Sequence, residues 1–254
     1  MKILVDCDFV VYKCCAGCES EIDFGDDIIV VTSRFSEAYG MVRRELEKIA
    51  LKFGAFGNLI LFFSDSQNFR KDIESSYKGN RQKKKPCGYR RVINKLAEEF
   101  DVVRIPKLEA DDAIGLYSTQ NPGNIIVSPD KDMKQIPGNL YNFEDVTVIT
   151  PQFARRWHAI QLTSGDATDG YSGIPGIGIK KAIKLFEEKG YTWKTVVDAY
   201  AEKGLSEDVA LMNARLAKIL TKDDYDFQKK EPILWTPAPN YSFDDGARLE
   251  VEAD

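Results

Sequence analysis

Short apolar runs that stop at an acidic residue recur along this chain. Ile3-Leu4-Val5 ends at Asp6, Leu59 to Phe63 ends at Ser64-Asp65, Val102-Val103-Arg104-Ile105 leads toward Glu109, and Ile125-Ile126-Val127 leads into Ser128-Pro129-Asp130-Lys131-Asp132. Runs of this length that are apolar throughout, with no polar alternation, suit strands covered on both faces. Between them Val42, Leu46, Ile49 and Phe53 keep a helical spacing, as do Tyr89, Val92, Ile93, Leu96 and Phe100. Strand and helix alternate, which predicts an α/β fold with a mostly parallel central sheet flanked by helices. In such a sheet the C-terminal strand ends line the ligand crevice, so acids far apart in sequence are expected to converge there.

After Thr150 the pattern becomes helical. Ile179, Ala182, Ile183 and Phe186 share one face, followed by Trp193, Val196, Val197 and Tyr200, then Val209, Met212, Leu216 and Ile219. The expected organisation is an α/β core over 1-150, a helical lobe over 151-231, and a tail from Pro232 to Asp254, rich in proline and acid, that is docked or frayed.

Composition narrows the chemistry. With 43% hydrophobic and 30% charged residues, the 254-residue chain has material for a sizeable core. No apolar run approaches the roughly 20 residues that span a bilayer, and Asp6 interrupts the start too early for a signal-peptide core, so a cytoplasmic protein is expected. The five cysteines, Cys7, Cys14, Cys15, Cys18 and Cys87, are odd in number and crowded near the start, which predicts reduced thiols. A zinc site from Cys14, Cys15, Cys18 and Cys87 lacks paired C-x-x-C knuckles, and small side chains packed on the first helix is the better reading. His158 is the only histidine and has no evident Ser or Cys partner, so it reads as structural.

The net charge of -5 conceals a segregation. Residues 70 to 95 hold ten Lys/Arg against Asp72 and Glu74, a local +8, so the remainder carries -13. An acidic body beside one basic segment suits a metal-dependent nuclease, because carboxylates hold ions while the patch neutralises phosphates. The acids fall in five clusters: Asp6 with Asp8, Asp65, Glu109 with Asp111 and Asp112, Asp130 with Asp132, and Asp166 with Asp169. Any one alone suits a cap or solvated turn. Together in one crevice they would repel and protonate unless cations compensated them. Hard oxygen donors without a Cys/His set favour Mg²⁺ or Mn²⁺ over zinc. Two such ions about 4 Å apart can activate water and stabilise a leaving oxygen.

Two further strings concern phosphate. Gly173-Ile174-Pro175-Gly176-Ile177-Gly178-Ile179-Lys180-Lys181-Ala182 opens a helical stripe; Gly176 and Gly178 would let phosphates approach backbone N–H groups, with Lys180 and Lys181 adding charge. It resembles the hairpin of helix-hairpin-helix DNA-binding motifs. Tyr77-Lys78-Gly79-Asn80-Arg81 lies in the basic segment, with Phe69 and Tyr89 interleaved and Lys83, Lys84 and Lys85 just beyond, so it could stack bases and hold phosphates.

V-D-C-D at the start, F-S-D-S at 63 to 66, Y-K-G-N-R at 77 to 81, E-A-D-D at 109 to 112, D-K-D-M at 130 to 133 and G-D-A-T-D at 165 to 169 together resemble the 5′-nuclease (flap endonuclease) superfamily. That family includes the 5′-nuclease domains of bacterial DNA polymerase I and stand-alone phage exonucleases. The likeness covers nearly the whole chain and is nearest to short phage exonucleases of the gene-six type, which the stretches Glu21 to Asp27 and Asp223 to Trp235 also resemble.

The resemblance implies a PIN-like, FEN-like sheet and a Mg²⁺-dependent 5′→3′ exonuclease or flap endonuclease. Asp6, Asp65, Glu109 and Asp111 would bind a first metal. Asp130, Asp132, Asp166 and Asp169 would bind a second, with Asp112 shared or nearby. Lys78 and Arg81 would contact the scissile phosphate, Tyr77 would stack on the terminal base, and the glycine hairpin would hold the duplex backbone, with K⁺ there as in relatives. DNA with free 5′ ends, flaps or RNA-DNA hybrids would be the substrate of a monomer working beside replication proteins, in the host cytoplasm if phage-encoded. Two departures stand out: Gly170 replaces the Asn common after the last Asp, and the span from Arg81 to Glu109 is short beside relatives with a long helical arch. Asp8 has no clear counterpart.

Two other readings compete. Asp6-Cys7-Asp8-Phe9-Val10 matches the opening of aspartate-nucleophile phosphatases, but that leaves Glu109, Asp111, Y-K-G-N-R and the glycine hairpin unused. A non-catalytic DNA-binding module built on the hairpin leaves the five acidic clusters unused.

Overall fold

A computed structural model describes residues 1–80 and 84–245. In chain order the elements are β1 (Ile3–Asp6), α1 (Cys7–Ala16), a hairpin of β2 (Glu19–Asp23) and β3 (Ile29–Ser33), α2 (Phe35–Lys52), β4 (Leu59–Phe62), the single turn α3 (Arg70–Ile73), α4 (Tyr89–Leu96), β5 (Asp101–Val103) and α5 (Ala110–Gln120). Next come β6 (Ile125–Val127), a 3-10 turn (Lys131–Gln135), β7 (Gly138–Tyr141), β8 (Val146–Ile149), α6 (Pro151–Ser164), α7 (Ile179–Lys189), α8 (Trp193–Ala201), α9 (Glu207–Ala217) and the short pair β9 (Tyr225–Asp226) and β10 (Glu231–Pro232).

The sheet order is β5-β4-β1-β6-β7-β8, parallel except for β8, which runs antiparallel to β7. The apolar runs explain the central strands. In β1 every residue is buried, and alternate side chains serve two cores. Ile3 and Val5 pack with Val10, Val42, Leu46 and Val92 of α1, α2 and α4. Leu4 packs on the other face with Ile60, Phe62, Ile126, Ala113 and Ile114. Burial of each such aliphatic side chain contributes about 1.5–3 kcal/mol, so a strand apolar on both faces belongs in the middle of the sheet.

From β1 the chain proceeds outward to β4 and β5, then crosses back to the opposite side of β1 as β6. That reversal opens a crevice at the C-terminal end of β1, where Asp6, Ser64-Asp65 and the Ser128–Asp132 loop emerge.

Helices α6 to α9 enclose a third core containing Trp157, Leu162, Phe186, Trp193, Tyr200 and Ala214. The described part of the tail docks on these helices. Phe243 is buried in that core, its N–H donates to Tyr191 O at 2.8 Å, and Trp235 packs edge-on against His158 at 5.2 Å. His158 is structural: its ring is buried with Nε2 2.8 Å from Ala214 O, and burial pushes its pKa down to about 3.

Arg70 ties the helical core to the sheet. Its guanidinium, 1% exposed, grips both oxygens of Asp112 on α5 at 2.7 and 2.8 Å and donates to the carbonyls of Leu216 and Lys218 at the end of α9.

Two hairpins escape the sequence reading. β7 and β8 close one sheet edge; Val146 and Val148 face solvent there, so no core-facing run announces the edge strand. β2 and β3 form a separate ribbon whose apolar residues, including Ile22, Phe24, Ile28 and Val30, are exposed. Its tip turns through Asp26 and Asp27 at φ 51° and 61°, the left-handed conformation that Asp tolerates better than most residues. The strand expected over 102 to 105 is shorter, Asp101–Val103, and a loop carries the chain on to Glu109.

Candidate active site

Two crevices meet at the end of β1. One, about 630 Å³, is lined by Asp6, Asp8, Asp65, Lys78, Glu109, Asp111 and Asp130 among others. The second, about 380 Å³, is lined by Asp6, Asp130, Asp132, Asp166 and Asp169. Asp6 and Asp130 belong to both, so the carboxylates read from five separate strings share one continuous cleft.

Each acid is placed by its local backbone. Asp6 closes β1 and caps α1, accepting from Phe9 N–H at 3.5 Å, while Ser128 Oγ donates to its other oxygen at 2.9 Å. Asp65 follows β4 and accepts from Lys107 N–H at 2.9 Å, the main reason its pKa lies below the usual range. Glu109 is the N-cap of α5, with Asp111 in the first turn. Asp130 caps the 3-10 turn through Asp132 N–H at 2.9 Å. Asp132 accepts from Gln161 Nε2, and Asp166 receives Thr168 N–H at 2.7 Å and Lys131 Nζ at 2.6 Å.

The electrostatics divide the cleft. Burial, with Asp8 and Asp130 as neighbours, pushes Asp6 up to about 7. Burial with Asp6, Asp130 and Glu109 beside it raises Asp111 well above the carboxylate range. Burial and Asp130 push Asp132 up to about 7. Glu109 goes the other way: burial would raise it, but the charges of Lys78 and Arg70 bring it down to about 2. Lys78 Nζ sits on Glu109 and 3.5 Å from Asp169 Oδ2. Lys131 likewise meets Asp166. Among the described residues no three carboxyl, thiol or imidazole groups converge tightly enough to hold an ion as they stand. The donor chemistry still fits hard divalent cations: buried oxygens that raise one another's pKa are what a cation relieves, and the lysine ammoniums already occupy part of that role.

Several expected roles change. Asp112 does not face the cleft. It is fully buried, Oδ1 accepts from Arg70 and from Leu220 N–H at 3.1 Å, and Oδ2 accepts from Arg70 and from Glu109 N–H at 3.4 Å. Consecutive helical residues point about 100° apart, so Asp111 takes the cleft and Asp112 the interior. Tyr77 is not an exposed stacking platform. Its ring is 2% exposed in the helical core, and its hydroxyl donates toward Glu109 at 3.1 Å and Asp169 at 3.0 Å. Lys78 follows in the left-handed region at φ 53°, its N–H held by Asp169 O at 2.8 Å; strain of this kind persists where surrounding contacts enforce it.

Lys85 reaches the cleft and lies over the Tyr89 ring at 4.5 Å, while Lys84 is exposed. Arg81 and Lys83 lie outside the described residues. Cys7, Cys14 and Cys15 are buried on α1, Cys18 Sγ is 3.1 Å from Met41 Sδ, and Cys87 Sγ points to Val31 O.

The glycine string lies between α6 and α7, which pack together. Gly176, Gly178, Lys180 and Lys181 are exposed; Gly178 caps α7 without a side-chain acceptor, and Lys181 Nζ donates to Gly176 O at 2.8 Å. At its root a Cβ on Gly173 would come within 2.3 Å of Gly165 N, so the crossing of these two segments demands glycine. Gly170 has φ 82°, in the left-handed region that glycine enters more freely than any other residue.

Ser64, Ser128 and Arg70 help position the cleft acids without having been assigned a role from the sequence, while Tyr89 appeared there only as an aromatic of the basic segment. Asp8 carried a signal, as the second acid of D-C-D.

Residues 3–161 match the family described as 5′-3′ exonuclease, N-terminal resolvase-like domain. The exodeoxyribonuclease of Enterobacteria phage T3 is 28% identical over 280 aligned positions, covering 92% of each chain. The exonuclease of Escherichia phage T7 is 28% identical, covering 92% of this chain and 93% of that one. Among solved structures, phage T5 D15 protein co-crystallised with metal ions superposes with a TM-score of 0.65 at 15% identity, over 85% of this chain and 89% of that one. With the family matched across more than half its length, and with the acids of that stretch gathered at the ends of its parallel strands, the chain belongs to the 5′-3′ exonuclease family.

Proposed function

We propose that this chain hydrolyses DNA phosphodiester bonds as a 5′→3′ exonuclease and flap endonuclease, using two or more Mg²⁺ or Mn²⁺ ions. The observation that carries the reading is the convergence on one cleft of Asp6 at the end of β1, Asp65 beyond β4, Glu109 and Asp111 at the start of α5, and Asp130 beyond β6. The phage T3 and T7 relatives are an exodeoxyribonuclease and an exonuclease. The T5 D15 flap endonuclease has been crystallised as a pseudo-enzyme-product complex with DNA and metal ions, at a TM-score of 0.62.

In this reading Asp6, Asp65, Glu109 and Asp111 hold one ion, and Asp130, Asp132, Asp166 and Asp169 another. Ions held there would supply an activated water and stabilise the leaving oxygen. Lys78, which sits on Glu109 near Asp169 in this structure, would contact the scissile phosphate, a role assigned also to Arg81. Tyr77 fixes Glu109 and Asp169 across the cleft. Gly176, Gly178, Lys180 and Lys181 would form a helix-hairpin-helix contact to the duplex backbone, with K⁺ at the glycine hairpin, while Lys83, Lys84 and Lys85 would neutralise phosphates. Residues 1–150 are the nuclease core and 151–231 the DNA-binding lobe of a monomer that acts on 5′ ends, flaps and RNA-DNA hybrids. The phosphatase alternative needs Asp8 free as an acid, whereas both its oxygens accept hydrogen bonds.

The test is Asp111→Ala on 5′-labelled duplex and flap DNA. Single-turnover cleavage in Mg²⁺ is expected to fall by at least about 10²-fold, the size of effect seen when one oriented electrostatic element is removed, with DNA binding in Ca²⁺ preserved. Wild-type rates in the variant, or cleavage by the native chain in EDTA, would refute the reading.

A further inference from the structure

Asp8 lies in the first turn of α1, one turn before Tyr12, and lines the cleft. Its two oxygens accept from two different parts of the fold: Oδ2 from Ser64 N–H at 2.8 Å, and Oδ1 from the Tyr89 hydroxyl at 2.6 Å. Ser64 precedes Asp65, and its own Oγ accepts from Ala110 N–H at 3.0 Å, between Glu109 and Asp111. Tyr89 begins α4 and is 6% exposed. Lys85, one helical turn earlier in sequence, lies over the Tyr89 ring and reaches its hydroxyl at 3.5 Å. A continuous hydrogen-bonded path therefore runs from the root of the basic segment, through Asp8, to the backbone that presents Asp65, Glu109 and Asp111.

We propose that Asp8 is a positioning residue for cleavage, clasping Tyr89 and the Ser64-Asp65 loop so that the basic segment presents one particular phosphate to the carboxylate cleft. The inference rests on the nuclease reading above. An acid in the first turn of a helix favours the helix dipole wherever it sits, but that would leave its oxygens free to face water. Here each is spent on a separate element, and the two elements carry the two halves of the proposed site: phosphate-neutralising lysines on one, metal-holding acids on the other. Reaction requires the phosphate to sit within a fraction of an ångström of its productive position. Affinity does not, because the lysines neutralise whichever phosphate is nearest. A loosened clasp should therefore slow cutting and blur its position without releasing the DNA.

Tyr89→Phe removes one arm and leaves the ring and the cleft acids in place. At saturating 5′-labelled duplex its single-turnover rate should fall about tenfold, and products should spread to neighbouring bonds, while affinity in Ca²⁺ stays within about twofold. Asp8→Ala should behave alike, and the double variant should be no slower than Asp8→Ala alone. Asp8→Asn, whose amide can accept from Ser64 N–H and donate to the Tyr89 hydroxyl, should recover both rate and cut position. If Tyr89→Phe cuts at the native rate and position while Asp8→Asn is inactive, Asp8 acts through its charge and the clasp is refuted. Rate losses that follow each variant's melting temperature, with cut position unchanged, would refute it equally. A native chain that leaves 5′-labelled DNA intact in Mg²⁺ would instead remove the nuclease reading, and the inference with it.

Discussion

Replacing Arg70 with methionine would expose how much of this fold hangs on one buried charge. The guanidinium donates two hydrogen bonds to Asp112, one each to the carbonyls of Leu216 and Lys218, and a longer one to Glu109 at 3.3 Å. Arg70→Met leaves Asp112 fully buried with only the N–H groups of Leu220 and Glu109 to satisfy it. Removing one partner of a buried ion pair costs about 3–5 kcal/mol, and two orphaned carbonyls bring the total to roughly 5–8 kcal/mol at about 1–1.5 each. At roughly 2–4 °C per kcal/mol for a chain of this size, the melting midpoint should drop by roughly 10–30 °C. Arg70→Met/Asp112→Leu removes both charges and should be more stable than the single variant, because an apolar pair of similar volume does not strand an ion. Circular-dichroism melts of the native chain and both variants decide the matter. A loss below about 1 kcal/mol, the level of a surface pair, or a double variant no better than the single, would show that Asp112 is not held as described.

Stability should depend on pH in a direction set by the cleft. Asp6 and Asp132 have folded pKa values of about 7 against an ordinary 3.8, so their contribution is complete below 3.8 and is lost as pH rises through 7; in EDTA the melting midpoint should fall between pH 5 and pH 8, and Mg²⁺ should raise it more at pH 8 than at pH 5. A midpoint that rises over that interval in EDTA would contradict the assignment. Tyr77→Phe should lower single-turnover cleavage about tenfold or more by releasing Glu109 and Asp169, and should do so equally on substrates with any 5′-terminal base; a loss confined to purine or pyrimidine ends would instead restore the stacking role.

The central sheet was legible because strands buried on both faces leave an unbroken apolar signature, and the cleft followed because those runs end at acids. The roles of neighbouring acids were not legible in the same way. E-A-D-D places Asp111 and Asp112 at adjacent helical positions, and which one turns inward is decided by Arg70, 42 residues earlier in the chain. Tyr77 lies among lysine and glycine in the sequence, which suggests exposure; it is buried because it joins the core built by the distant helices α6 to α9, a tertiary event with no local marker. The β2–β3 ribbon was missed for the opposite reason, since its apolar residues serve no core.

That ribbon has a consequence for how copies of the chain meet one another. Cross-strand neighbours share a face, so Ile22 and Val30 line one side and Glu21, Asp23, Val31 and Ile29 the other. Neither outer edge carries a further strand among the described residues. An unpaired ribbon with exposed apolar side chains invites edge-to-edge stacking. Here Glu19, Glu21, Asp23, Asp26 and Asp27 supply five negative charges, and residues 19 to 33 contain no lysine or arginine. Two ribbons that approach each other therefore repel, and colloidal stability rests on that repulsion. It weakens with added salt once the screening length falls well below about 8 Å. Association between copies is thus governed by charges on the ribbon, a set of carboxylates separate from those that line the cleft.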